Sequence, residues 1–170
     1  MSSFDYYAQR TVARLEGLTD SEYFWQPVDG CWSVREGPDG YTADWEWPAP
    51  DPAPVTTIGW RLVHIISFLS EHGLRSVAFE RGKAEWDAPS VYPSSAKEAL
   101  AELERALAVW KRDLTRVDDK RLWEPMGPEA GQYSEDAVAG FVEHIHDEFI
   151  HHTAEVSLLR DLYRAGRPAQ

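Results

Sequence analysis

The sequence predicts an all-α protein, a bundle of four helices. Apolar residues recur with helical spacing in four long segments, and no segment shows the sustained alternation of a β-strand. No internal repeat interrupts this pattern. With 170 residues, the chain is long enough for one domain with a single core. We therefore expect residues 1–170 to form one four-helix domain.

Signals that begin and end helices bound these segments. Gly17 is suited to end the first helix, and Ser95 with Glu98 has the capping-box spacing at the start of the third. Ser134 is suited to cap the last helix. The predicted helices are residues 4–17, a short helical turn over 19–24, and then 57–80, 95–117 and 134–164.

Between the first two long helices, residues 25–55 have a different composition. Their many prolines and glycines exclude regular structure over most of the span. Their aromatic residues are too numerous for a flexible linker, so we expect an ordered cover over one end of the bundle. The aromatic residues are Trp25, Trp32, Tyr41, Trp45 and Trp47. Shorter connections are expected over residues 82–93 and 118–133.

The composition excludes several classes of function. A net charge of −12 and a pI near 4.8 argue against binding to nucleic acid or to an anionic membrane surface. No apolar run reaches the ~18 residues of a membrane span, and we expect no signal peptide. The single cysteine, Cys31, allows no internal disulfide, which fits a cytoplasmic protein.

The last helix carries four of the six histidines, at 144, 146, 151 and 152. At about 100° per residue, His152 lies about 25° from the centre of the apolar stripe and Glu148 about 65° from it. His151 lies about 125° away and should face solvent or a partner. Glu148 and His152, four residues apart, therefore point inward together. A structural hydrogen bond and a metal site account for this pair equally well on spacing alone.

A third ligand could come from the second helix. His64 lies in its most apolar part, and bundles build metal sites from inward side chains on facing helices. Periodicity does not select His64, because His72 faces the apolar centre of the same helix somewhat better. Two imidazoles and one carboxylate suit zinc, and also nickel, iron or manganese.

Three segments resemble the DinB-like superfamily, which includes the amino-terminal domain of mycothiol-dependent maleylpyruvate isomerase and bacterial thiol S-transferases. They are Thr57–Ile65, Glu148–Glu155 and the Trp-rich stretch Trp25–Ser33. The first is similar to the family's second-helix segment, which ends in its first histidine ligand. The second is similar to its last-helix ligand segment. The resemblance covers essentially the whole chain and implies a DinB-like four-helix bundle with a long loop after helix 1.

The resemblance also implies a ligand set. In the family's last-helix segment, the second histidine of the pair binds metal together with the residue four positions before it. That earlier residue is glutamate in the mycothiol-dependent branch, as it is here. The resemblance thus implies that His64, Glu148 and His152 bind a divalent metal, with zinc favoured, and it selects His64 over His72.

The resemblance implies a metal-dependent thiol S-transferase. Its partners would be a low-molecular-weight thiol such as mycothiol and a small electrophile. His144 and Asp147, close to the ligands on the last helix, are candidates for proton transfer. Trp60 and Arg61 are candidates for shaping the substrate pocket, although packing alone explains either one.

Two alternative functions use the same ligands. One is a metal-dependent hydrolase that uses metal-bound water, which thiol-independent turnover would reveal. The other is a non-enzymatic domain that binds a metal or a small ligand. The apolar and aromatic excess also makes a homodimer a reasonable expectation.

Overall fold

A computed structural model describes residues 3–70, 72–84 and 92–166. This part of the chain is mostly helical, as predicted. Much of the predicted 82–93 connection, residues 85–91, lies outside it. The helices are α1 Ser3–Leu15, α2 Asp20–Tyr23, α3 Ile58–Ser70, α4 Arg75–Glu80, α5 Ala96–Leu114, α6 Asp119–Leu122 and α7 Val138–Ala165. A 3-10 helix covers Pro128–Tyr133, and two strands, β1 Val34–Gly37 and β2 Gly40–Ala43, precede α3.

The apolar helix α3 occupies the centre of the fold. It packs against α5 on one side and α7 on another, while α1 packs against α7. Nine of its thirteen residues are buried, which is the expected consequence of an apolar surface all round the helix. Because α3 lies between α5 and α7, polar side chains on these two neighbours can meet polar side chains of α3.

Gly59 allows a close approach at the start of α3. A Cβ atom at this position would lie 3.0 Å from the ring of Tyr23, which is tighter than most carbon contacts in proteins, so the ring would have to shift. The Tyr23 ring is fully buried, and its hydroxyl donates a hydrogen bond to the Pro93 carbonyl at 2.9 Å. The turn at α2 is thereby held against both α3 and the segment that leads into α5.

The sequence predicts no β-strand, and this prediction is wrong for one short hairpin. β1 and β2 pair antiparallel with Gly37 opposite Gly40, and Gly40 has a φ of +115° that a glycine adopts without strain. Two strands of four residues are too short to show a clear alternation. The hairpin is joined to α3 through Thr57, whose N–H donates to the Trp32 carbonyl at 2.9 Å.

Two predicted helix boundaries are also wrong. The predicted helix 57–80 is divided, because α3 ends at Ser70 and α4 begins at Arg75. Ser134 does not cap the last helix. It ends the 3-10 helix, where its N–H donates to the Gly131 carbonyl, and α7 begins after the extended residue Ala137. By contrast, Ser95 caps α5 as predicted and accepts from the Glu98 N–H.

No helix in the ranges that the structure describes combines the length and the apolar character needed to cross a lipid bilayer.

A buried arginine connects the two ends of the chain. Arg160 of α7 is 1% exposed and donates to the Glu22 carboxylate at 2.8 Å. It also donates to the carbonyls of Arg14 and Glu16, which the end of α1 leaves without helical partners. The Thr19 N–H donates to the same carboxylate at 2.9 Å. One guanidinium therefore holds α1, α2 and α7 in a fixed arrangement.

We predict that Glu22→Gln destabilises the protein by about 3–5 kcal/mol at neutral pH, because it leaves the buried Arg160 without a full countercharge. Burial raises the pKa of Glu22, but hydrogen bonds from Arg160 and Thr19 bring it below its ordinary value. The stabilisation is therefore present at neutral pH and is lost as the pH falls through the lowered pKa. Urea unfolding at pH 7 measures the effect.

The matched control is Asp161→Asn on α7, which removes an exposed ion-pair partner of Arg14 on α1. It should change the free energy of unfolding by less than about 1 kcal/mol. Equal effects of the two substitutions would contradict the role given to the buried pair.

Candidate metal centre

Three polar side chains converge where α3 and α7 pack together. His64 lies in the middle of α3, and Glu148 and His152 lie one turn apart on α7. The Glu148 Oε2 atom is 3.1 Å from His152 Nε2 and 3.6 Å from His64 Nε2. A ligand atom from each of the three residues lies within 4.8 Å of the other two. We call this group the inner cluster.

The inner cluster has the dimensions of a metal site. Zinc lies about 2.0–2.2 Å from nitrogen and oxygen ligands, so the donor atoms around a tetrahedral ion are roughly 3.3–3.6 Å apart. The 3.1 and 3.6 Å separations are close to this range. The side chains of His64, Glu148 and His152 are 31%, 25% and 8% exposed. An ion among them would thus meet protein on one side and solvent on the other.

The protonation states of Glu148 and His152 are those of metal ligands. The nearby His64 imidazole holds the pKa of Glu148 at about 2 against the effect of burial, so this carboxylate is ionised at neutral pH. Burial lowers the pKa of His152 to about 4, which leaves its imidazole neutral at pH 7. Ligation requires an ionised carboxylate and a neutral imidazole.

Comparison with known proteins agrees with this geometry. The family model described as the DinB superfamily matches residues 40–156, more than two thirds of the chain. The chain belongs to the DinB superfamily. Members of this superfamily often bind a metal, and the matched range includes all three residues of the inner cluster. No curated protein and no solved structure matches the chain.

On the outer side of the inner cluster, His152 meets two charged residues. Its Nδ1 atom is 2.7 Å from Glu155 Oε2, and Arg61 Nε is 3.0 Å from the same oxygen. Arg61 Nη1 is also 3.1 Å from His152 Nδ1. Glu155 is a site residue that the sequence prediction missed. Its spacing of three residues from His152 on one helix was the available signal.

Trp60 links the inner cluster to the aromatic residues of the 25–55 segment. Its ring stacks on His64 with 5.3 Å between centroids and on Trp45 with 6.2 Å between centroids. Its indole N–H donates to the Asp44 carbonyl at 2.7 Å, which fixes the ring. Trp45 is 63% exposed. The segment that follows the hairpin therefore lies beside the centre and exposes an aromatic face to solvent.

The other histidines of α7 lie outside the inner cluster. His151 is 43% exposed in its side chain and lies 3.1 Å from the Asp147 carbonyl through Nδ1. The side chain of Asp147 is 80% exposed, and His144 is exposed as well. A proton-transfer role for His144 and Asp147 stays a prediction. His146 accepts from the indole N–H of Trp110 at 3.2 Å and has a structural role.

His72, the alternative to His64, lies beyond the end of α3. Its Nδ1 atom accepts from the Leu74 N–H at 3.1 Å, and its ring meets Phe141 edge to face at 5.2 Å. This nitrogen is thus engaged in the turn that separates α3 from α4. Burial and the nearby His144 and His64 lower the pKa of His72 from 6.5 to about 4.

We predict that the wild-type protein binds about one equivalent of zinc and that His152→Asn reduces this to a trace. The substitution removes the nitrogen that faces Glu148 and leaves too few donors. His151→Asn, at the adjacent exposed position, is the matched control and should keep full occupancy. Elemental analysis after dialysis measures the metal, and circular dichroism checks that the variants fold. Full zinc occupancy in His152→Asn would exclude the inner cluster as the site.

We predict that the metal-free protein loses stability as the pH falls from about 6.5 towards 4, in part through His72. In this window the unfolded chain binds a proton that the folded chain does not, because burial lowers the pKa of His72 to about 4. His72→Asn keeps an acceptor for the Leu74 N–H but cannot titrate. Urea unfolding at pH 7 and pH 4.5 should show a smaller loss in the variant, and an equal loss would contradict this assignment.

Proposed function

We propose that this chain is a metal-dependent transferase acting on a low-molecular-weight thiol, with its four long helices forming a bundle around the metal centre. The observation that carries the proposal is the convergence of His64, Glu148 and His152 at a partly open position. Three protein donors leave room for a further ligand, which is the pattern of catalytic rather than structural zinc sites.

The donor set fits a divalent ion, and we propose zinc. Two imidazoles and one carboxylate also accept nickel, iron or manganese. When bound, such an ion deprotonates a coordinated thiol and lowers the pKa of coordinated water, and either effect produces a nucleophile at neutral pH. The rigid helices α3 and α7 hold the donors in place before the substrate arrives.

The thiol must come from outside the chain. Cys31 is the only cysteine, and it is 1% exposed among packed side chains. A buried thiol cannot reach a substrate at the surface. We therefore propose that a small thiol enters as cosubstrate and reaches the partly exposed side of the inner cluster.

The surrounding side chains supply shape and charge. Trp60 holds His64 by stacking, and Trp45 extends the same aromatic face towards solvent. Arg61 contributes a positive charge 5.1 Å from the Trp60 ring. We propose that these groups orient the thiol and an electrophile with an apolar body, while His144 or Asp147 takes up a proton at the exposed rim.

We predict thiol-dependent consumption of a chloroaromatic or epoxide electrophile by the zinc-loaded protein, at least tenfold faster than with the same concentration of free zinc. Product formation is followed by chromatography with a small thiol present or omitted. His152→Asn should fall to the background and His151→Asn should not, because only the first removes a donor of the inner cluster.

The controls separate the proposal from its competitors. Turnover of a hydrolysable ester without thiol would favour a hydrolase. Stoichiometric zinc binding without any rate above the free-metal background, across several thiols and electrophiles, would overturn the transferase and leave a binding domain.

A further inference from the structure

We propose that Glu155, held in place by Arg61, is a positioning residue that fixes the tautomer of His152 and thereby strengthens metal binding by the inner cluster. This inference rests on the metal site of the proposed function. It concerns how the Glu155 carboxylate, beside that site, orients the ligand His152. Glu155 contacts neither the ion nor the substrate in this assignment, since it acts through His152.

The distances assign the ring proton. A neutral imidazole carries one proton, and each nitrogen of His152 faces a carboxylate. Nδ1 is 2.7 Å from Glu155 Oε2, whereas Nε2 is 3.1 Å from Glu148 Oε2. Arg61 Nη1, which can only donate, also lies 3.1 Å from Nδ1. The 2.7 Å separation is the shorter of the two and has the length of a charge-assisted hydrogen bond, so we assign Nδ1–H as the donor to Glu155. The lone pair of Nε2 then points to Glu148 and His64, where an ion would bind.

Arg61 restrains the Glu155 carboxylate in this position. Its Nε atom lies 3.0 Å from the same Glu155 oxygen, and its side chain is only 16% exposed. Glu155 is 44% exposed, and an exposed glutamate without such a partner would sample many rotamers. Because arginine has no acceptor, Arg61 cannot replace Glu155 as the partner of Nδ1–H. Its role is to hold the carboxylate against His152.

A second cation is the competing interpretation of the outer side. His151, His152 and Glu155 also offer three ligand atoms within 4.8 Å of one another. A cation there would need the lone pair of His152 Nδ1 to point outward. It would also lie beside Arg61, whose Nη1 atom is 3.1 Å from Nδ1, and two positive charges at that separation repel. Glu155 and Arg61 therefore orient His152 and do not form a second cation site. Zinc binds with a stoichiometry of one.

The first experiment measures the tautomer directly and needs no bound metal. In metal-free wild-type protein at pH 7, long-range nitrogen–proton NMR spectra should show His152 protonated at Nδ1. In Glu155→Gln the neutral amide is a weaker acceptor, so the proton should shift towards Nε2 and the Glu148 carboxylate. Protonation of wild-type His152 mainly at Nε2 would overturn the inference.

The second experiment measures zinc affinity by competition with a chromophoric chelator. Removal of a carboxylate that orients a ligating histidine costs about 10- to 100-fold in affinity, and we expect this loss in Glu155→Gln. Glu143→Gln, an equal charge change at an exposed position of α7, is the matched control and should lose less than threefold.

The outcomes are distinguishable. A wild-type protein that binds no zinc would overturn the metal site and, with it, this inference. Wild-type binding with equal affinities in Glu155→Gln and Glu143→Gln would overturn the positioning role alone. A second equivalent of tightly bound zinc that is lost in Glu155→Gln would overturn the positioning role and indicate a second metal site at His151, His152 and Glu155.

Discussion

The carboxylate of Glu148 lies against the most apolar helix of the protein, and the arrangement of α3 and α7 depends on how its charge is balanced. Burying an ionised carboxylate without partners costs several kcal/mol. The polar side chains that face it here are His64 across the helix interface and His152 one turn along α7. A shift of α7 by one turn along its axis would leave the carboxylate facing apolar side chains, so packing and polar pairing select the same register.

The second fixed point of α7 lies about three turns beyond Glu148 along the helix. Arg160 binds Glu22 and the carbonyls at the end of α1, and it does so from the interior of the protein. With Glu148 held by α3 and Arg160 held by α1 and α2, α7 is restrained both along and around its axis. A site whose donors come from two helices needs this restraint, because small displacements separate the donors.

The sequence predicted those features that depend on one continuous helix. The rotation angles placed His152 inside and His151 outside, and their side chains are 8% and 43% exposed, because α7 runs without a break through this segment. The choice between His64 and His72 depended on resemblance. Periodicity does not distinguish the faces of a helix that is apolar all round. It also does not encode the contact of the His72 ring, beyond the break after Ser70, with Phe141 of α7. Glu155 was missed for a similar reason, since its partner Arg61 lies on another helix.

The geometry of the inner cluster argues for a metal over a structural hydrogen bond. A structural pair needs one histidine for one carboxylate, yet two imidazoles face the same oxygen atom of Glu148, with the nitrogens 3.1 and 3.6 Å from it. In the immediate surroundings, the carboxylates of Glu148 and Glu155 outnumber the guanidinium of Arg61, and burial keeps His152 neutral at pH 7. Convergent donors with a surplus of negative charge are the conditions that a divalent cation satisfies.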